Sequence, residues 1–502
     1  MQARQQRKRS AKMQVTLHLH PGRGPHRRPG SAADLAALTR ISRRALADER
    51  HKSLKKPIAR LRKFARMHGL SVVRVDPTRC RVVLRGAAAD IERAFATKLR
   101  DERIDDAHYR HPTRAPRLPE ALGGIVHAVL GIDERPRGNL RSMANGVADA
   151  GLWPSDIAQL YGMTAKGRGA GQCIAIVEPS GGYDPADLVA ACAAMNVPVP
   201  AVRTINVGSG RNNFGADAEA DKEVSLDIQV VAAVAPLASI AVYFTGSNEA
   251  ELVDGLKQAV HDAATRPSVI VMTWGEPESF WPKAARMAMD AALADAVRLG
   301  ITVVAAAGDD LASERVGDGK AHVDYPASSP YVLGCGGTSI TLDAAGRAIT
   351  AETVWNTGDR GTGGGISDVY PVPAFQTAAA LPKSFNDGKV RRGVPDVAAA
   401  AAEENGYRIK LNGADTIASG TSAVAPLWAA FLALINEQRG ETLGLVTPLL
   451  YRNAPLLRPV TSGNNKGAGS KIGYNAGPGW NACTGLGTPR GPELVAALSV
   501  KH

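Results

Sequence analysis

Residues 300–310 read GITVVAAAGDD, and this stretch decides the fold. From Ile301 to Ala307 the side chains are apolar or small, with a single threonine among them, and Gly-Asp-Asp then ends the run. A strand with one wet face alternates in polarity, whereas one covered on both faces does not. Three other stretches share this character, CIAIVEP (173–179), SIAVYFT (239–245) and SVIVMTW (268–274), with Ala-rich helical segments between them. Apolar strands alternating with helices specify an α/β domain on a doubly wound parallel sheet. Ligands collect at the carboxyl ends of such strands, which makes Glu178, Trp274 and Asp309 the first residues to consider. Gly167, Gly169 and Gly171 precede their strand instead of following it, so they read as a turn and not as a dinucleotide loop.

A second stretch, IASGTSAV (417–424), sets Ser422 between Gly-Thr and the apolar run AVAPLWAAFLALI. This is a loop-to-helix junction, where free backbone N–H groups can steady a developing negative charge. A serine nucleophile needs a base, most often histidine. From residue 152 onward the histidines are His261, His322 and His502; none stands in a context suited to a triad, and the first two read as surface or structural residues. Carboxylates remain. ADKEVSLDIQVV (220–231) places Glu223 and Asp227 four residues apart on one helical face, crowded by Val224, Leu226, Ile228 and Val230. Two solvated acids is the plain reading of such a pair; two buried ones share a proton and leave one ionised to accept the serine's. That arrangement works where histidine is protonated, so it implies activity in acid. Asp309 either caps the turn after its strand or, kept neutral at low pH, donates to an oxyanion beside the Ser422 N–H.

At 502 residues, with 44% hydrophobic and 5% aromatic composition, the chain exceeds one ordinary core. No apolar run approaches the roughly 20 residues of a membrane span. Cys80, Cys173, Cys192, Cys335 and Cys483 are scattered without zinc-ligand spacing; they read as buried thiols, with a Cys173–Cys192 bridge as the alternative. The net charge of +12 hides a division: residues 1–150 hold 33 Lys+Arg against 14 Asp+Glu, and the remainder holds 27 against 34. MQARQQRKRSAK is basic but lacks interleaved aromatics, so it reads as a flexible tail rather than a nucleic-acid arm. It also lacks the apolar core of a Sec signal peptide.

Four segments are expected. Residues 1–30 form a basic flexible tail, although MQVTLHLH (13–20) also reads as a first strand. Residues 31–137 give a small ferredoxin-like α/β sandwich: KKPIARLRKFARMHG (55–69) is helical up to Gly69, LSVVRVDP and RCRVVLRG are strands about an Asp-Pro turn, and ADIERAFATKL is helical again. Residues 138–151 are a polar, cleavable linker, and 152–502 the large parallel domain.

EVSLD, AAAGD, VDYPASSPYVLGCGGTS, TGGGISDVYPVPAFQ, RGVPDVAA, SGTSAVAPLWAA and AGPGWNACTGLGTP follow one another in the chain. In that order they resemble the sedolisin family of serine-carboxyl peptidases, its kumamolisin-like members above all, over nearly everything from about residue 31 onward. The resemblance implies a subtilisin-like sheet preceded by an activation domain that folds against the protease and is later cut away. It implies Ser422 as nucleophile, Glu223 as general base, Asp227 as the acid that orients it and Asp309 as oxyanion donor, with Glu178 and Trp274 extending the proton network. Substrate would lie as an extended strand along Thr273 to Gly275 and along Gly363 and Gly364, where glycine keeps backbone reachable, with Asp324 as a specificity-pocket acid.

The chain departs from that family at its calcium site, where two aspartates and several backbone oxygens are implied. Pro459 and Asn481 stand in place of the aspartates, leaving the carbonyls of Val460, Gly477 and Gly479. No cofactor is expected for the chemistry, and structural calcium is doubtful. The expected protein is a secreted, monomeric, acid-acting serine-carboxyl endopeptidase that processes itself, is inhibited by its own prodomain, cleaves proteins or peptides, and binds neither nucleic acid nor membrane. One alternative is a tripeptidyl exopeptidase of the same family. Another is a catalytically inactive binding protein using its basic arm, against which the complete set Glu223, Asp227, Asp309 and Ser422 argues.

Overall fold

A computed structural model describes residues 12–20, 29–104, 107–137, 151–165 and 167–500. Strand β1 (Lys12–Leu19) buries Met13, Val15, Leu17 and Leu19 at every second position. Helix α1 (Arg43–Met67) starts at Ser42, whose side chain accepts from the Ala45 N–H, and buries Leu46, Leu54, Ile58, Leu61 and Phe64 at helical spacing. Then come β2 (Ser71–Asp76), β3 (Arg81–Ala87), α2 (Ala88–Ala94) and β4 (Val126–Leu130). The four strands pair antiparallel in the order β2-β3-β1-β4, over a core that includes Leu17, Leu61, Phe64, Leu84 and Ile91. The expectation of a tail over residues 1–30 is therefore corrected. Residues 12–19 are an inner strand, because a period-two apolar face finds a sheet to complete, while residues 1–11 and 21–28 lie outside the described residues.

The larger unit contains β5 (Cys173–Glu178), β6 (Val202–Asn206), α3 (Ala218–Val234), β7 (Ser239–Phe244), α4 (Glu249–His261), β8 (Val269–Met272), α5 (Lys283–Arg298) and β9 (Thr302–Ala306). It continues with β10 (Leu333–Leu342), β11 (Ile349–Val354), β12 (Val397–Ala400) and α6 (Thr421–Arg439). Eight strands form one sheet in the order β11-β10-β9-β8-β5-β7-β6, with β12 alongside β10; every pair is parallel except β10 with β11. Helices α3 and α6 cover one face, where Ile228, Leu427 and Phe431 meet Ile174, Val271 and Val304. Helices α4 and α5 cover the other, where Leu256, Met289 and Leu293 meet Val177, Ile270 and Val303. Double coverage is the reason these strands carry no polar face. Every residue of α6 from Thr421 to Asn436 is buried, which explains why the run from Ala423 to Ile435 is all apolar.

The small sheet docks on α4 and α5: Ala128 and Leu130 of β4 share an apolar cluster with Leu252, Leu256 and Met289. Around this contact Arg50 binds Asp295 and Arg81 binds Asp254, as the charge division of the sequence leads one to expect, while Arg298 to Glu49 at 2.8 Å runs the other way. Lys257 donates to His18 Nδ1 at 2.6 Å and to the Arg79 carbonyl at 3.2 Å. All five cysteines are buried free thiols, so the Cys173–Cys192 bridge does not form. His322 is buried and the His261 side chain is 3% exposed; bonded to Asp318 at 2.9 Å and Asp295 at 3.0 Å, they are structural and not surface residues.

Candidate active site

Helix α6 starts abruptly after Gly420, whose φ is 110°. A Cβ at this position would stand 2.4 Å from Asp309 Oδ2, so both backbone and space demand glycine. Ser422 falls in the first turn, where N–H groups have no acceptor within the helix. Its Oγ reaches the Thr273 carbonyl at 3.5 Å.

Asp309 follows β9 and is fully buried. Its Oδ1 accepts from the N–H of Thr421 at 2.9 Å and from the Thr421 hydroxyl at 2.7 Å, and that hydroxyl accepts in turn from the Gly308 N–H at 3.1 Å. Asp309 Oδ2 lies 3.5 Å from Arg360 Nη2. The carboxyl is thus clamped to the residue next to Ser422.

On the other side, Glu223 and Asp227 of α3 are buried on one helical face, and Glu178 closes β5 beside them. Strand β5 is the switch point of the sheet, since β6 and β7 lie on one side of it and β8 to β11 on the other, and a crevice opens at such a point. Asp227 Oδ2 accepts from the Thr273 hydroxyl at 3.1 Å. Burial first, and then the negative charge of Glu223, holds the Glu178 carboxyl well above the ordinary carboxylate range. Asp227 is also held well above it, by burial and by its neighbours Glu178 and Glu223. Crowding of the three carboxyls in one buried site thus favours protonated forms there. Thr273 joins the two halves, with its carbonyl toward Ser422 and its hydroxyl on Asp227.

Some expected residues sit elsewhere in the network. The Trp274 indole donates to the Val177 carbonyl at 2.7 Å and packs on Trp281, so it lies in the core and off the carboxyl chain. Gly363 gives its N–H to the Gly308 carbonyl at 2.7 Å, and a Cβ there would meet the Ala307 oxygen at 2.3 Å. Gly364 is pressed in the same way on the Ala482 oxygen, at 2.3 Å. Both are glycine for close backbone packing, and not to keep backbone reachable. Gly275 does adjoin Asp324, whose Oδ2 a Cβ would approach to 3.0 Å. Sequence reasoning missed Thr421 and Arg360 and assigned Thr273 only to substrate. The one signal for Thr421 was its place beside Ser422; nothing local marks Arg360.

At the C-terminal loops, Asn481 Nδ2 donates to the carbonyls of Val460 at 3.0 Å and Gly477 at 3.5 Å. Pro459 brings no side-chain donor atom, and an N–H group cannot ligate a cation, so this donor set does not fit calcium.

A parallel α/β domain with a buried serine at a helix start, carboxyls around it and a docked small domain defines a subtilisin-like serine hydrolase in its precursor form. Comparison with known proteins agrees. Residues 204–469 match the model of the subtilase family, and residues 39–135 that of the pro-kumamolisin activation domain. The chain is 41% identical to kumamolisin of Bacillus sp. (strain MN-32), over 92% of this chain and 86% of the relative. It is 30% identical to tripeptidyl-peptidase 1 of Rattus norvegicus, over 77% of this chain and 73% of the relative. The solved structure of Pseudomonas sedolisin, a serine-carboxyl proteinase complexed with pseudo-iodotyrostatin, superposes with a TM-score of 0.62 at 27% identity, covering 69% of this chain and 97% of that one. The chain belongs to the sedolisin family of serine-carboxyl peptidases, with an activation domain of the pro-kumamolisin type.

Proposed function

We propose that this serine-carboxyl peptidase is an acid-acting, secreted endopeptidase, made as a proenzyme, whose acyl-enzyme forms on Ser422. The observation that supports the reading is the neighbourhood of Ser422: buried carboxyls on both sides, with His261 and His322 engaged elsewhere. Glu223 takes the Ser422 proton as Oγ bonds to the substrate carbonyl carbon. Asp227, held by the Thr273 hydroxyl, orients Glu223, and Glu178 crowds the same buried pocket, which favours protonated carboxyls there. The resulting oxyanion accepts from the Ser422 N–H and from the Asp309 carboxyl, each such donor contributing about 10²–10³ in rate. Glu223 then gives its proton to the leaving amine as the C–N bond breaks, and water repeats the cycle on the ester. Digestion of a denatured protein at about pH 4 tests this, because an acid-loaded base is at its best there. Undiminished digestion by Ser422→Ala or Glu223→Ala refutes it.

Internal cleavage is proposed over tripeptide release. Mass analysis of a long peptide decides; a series of amino-terminal tripeptides alone sinks the endopeptidase reading. Asp324, buried beside Gly275, supports a preference for basic side chains near the scissile bond, and equal cleavage of peptides differing only in Lys against Glu removes it. The chain needs no calcium for this chemistry. It acts as a monomer outside the cell; recovery of the mature form in the cytosol contradicts that placement. Among the described residues no helix is long and apolar enough to cross a membrane.

The precursor cuts itself between about Arg135 and Leu152, a window that lies mostly outside the described residues. Equally fast processing of Ser422→Ala rules out self-cleavage. Acid then weakens the docked prodomain. His18 is held well below 6.5 by burial and by Lys257, and His261 is lowered by burial against the pull of Asp295. Groups depressed by docking support it fully above 6.5 and lose that support as pH falls below. Asp295 behaves likewise lower down: burial opposes its charge, but Arg50 and His261 outweigh it and hold it below 3.8. Glu249 works the other way, since burial and Asp133 push it up to about 7, so it favours docking as pH falls from there to 4.5. The histidines are thus opposed between 6.5 and 4.5, and the support from Asp295 declines only as pH falls below 3.8.

A further inference from the structure

We infer that the Asn481 side-chain amide replaces a bound cation as the cross-link of the C-terminal loops, so that this protein holds them together without metal. The inference is independent of the chemistry at Ser422. Three segments converge on Asn481, which is 5% exposed. Its Nδ2 donates to Val460 O at 3.0 Å and to Gly477 O at 3.5 Å, drawing together two backbone oxygens from separate loops. Its Oδ1 accepts from the N–H groups of Cys483 at 3.1 Å and Thr484 at 3.0 Å and from the Thr484 hydroxyl at 3.1 Å. Its main chain exchanges two bonds with Gly485, at 3.0 and 2.9 Å.

These partners fix which end of the amide is which. Reversed, the NH2 group would face two backbone N–H donors, and the amide oxygen would face two carbonyl oxygens. A cation gathers carbonyl oxygens by presenting positive charge to them; here two N–H hydrogens present it instead. The surroundings suit a neutral group. Val460 and Cys483 are buried with Val354 in a small apolar cluster, and Pro459 leaves no carboxylate to be neutralised. An aspartate at 481 would set an acceptor against acceptors, and only a positive ion could then hold the loops together.

The test is thermal unfolding of the full chain at pH 7, in millimolar calcium and in chelator, a readout that does not depend on activity. The wild-type protein is expected to melt within about 1 °C of the same temperature in both, since an unbound ion adds nothing to the native state. A drop of several degrees in chelator, or stoichiometric calcium binding by calorimetry, overturns the inference. Asn481→Ala is expected to melt about 4 °C lower in both conditions, because it strands buried donors and acceptors together. An unchanged melting temperature disproves the cross-link. The double variant Pro459→Asp, Asn481→Asp is expected to melt several degrees higher in calcium than in chelator. If its two melts coincide, the amide does not stand where an ion would.

Discussion

Two regions of this molecule bury charge, and they do so in opposite ways. Beside Ser422, Glu178, Glu223 and Asp227 crowd carboxyls together, and burial with that crowding pushes Glu178 and Asp227 well above the ordinary carboxylate range. At the prodomain contact, Asp295 is buried between Arg50 and His261 and is driven downward, while His18 and His261 are kept from protonating. Acidification therefore meets a pocket whose crowding favours protons and an interface where the histidines and Asp295 resist them, Glu249 excepted. On the proposed reading, the same drop in pH suits the first region and loosens the second. Like-charge burial makes an acid catalyst, opposite-charge burial makes a latch, and the pairing around each carboxyl decides which.

The largest test of that contrast is at the nucleophile. Ser422→Ala is expected to lower kcat by about 10⁶ and to leave the precursor uncut, measured with a peptide substrate and by gel analysis in acid. At the latch, Arg50→Met strands Asp295 in a buried site, costing about 3–5 kcal/mol of docking. Gel filtration of the cut form across pH should find the prodomain leaving at higher pH than in the wild type. Release at an unmoved pH would break the comparison, because the pairing of Asp295 would then be irrelevant to docking. Gly420→Ala is expected to cost about 10² in kcat by displacing Asp309 from Thr421, with little change in KM. His261→Gln removes a proton acceptor that drives release, so the release midpoint should move to lower pH, by about half a unit. A shift upward would reverse the sign assigned to the histidine. Smallest of all, Trp274→Phe should stay within about threefold of wild-type kcat, because it loses a bond to Val177 O worth about 1 kcal/mol and touches no carboxyl.

Much of the fold was legible in advance because burial on two faces leaves a local mark. GITVVAAAGDD and its three companions became β9, β5, β7 and β8 of the parallel sheet. MQVTLHLH carried an equally clear period of two, yet the basic residues around it invited the reading of a tail; its partners β3 and β4 lie far along the chain. The pair Glu223 and Asp227 was readable because four residues make one helical turn. Trp274 and Gly363 were misjudged for a shared reason: residue type suggested a role, while the partner of a single N–H decided it.

The sequence alone determined the alternation of strand and helix, the helix start that exposes Ser422, the spacing of the two acids and the loss of aspartates at positions 459 and 481. These are properties of neighbours in the chain, fixed by periodicity and composition. Only the tertiary structure decided that Thr273 bridges Ser422 and Asp227, that Thr421 and Arg360 hold Asp309, and that the Asn481 amide fills a gap between loops. Hydrogen bonds act over about 3 Å, and which groups come that close is settled by how distant segments pack.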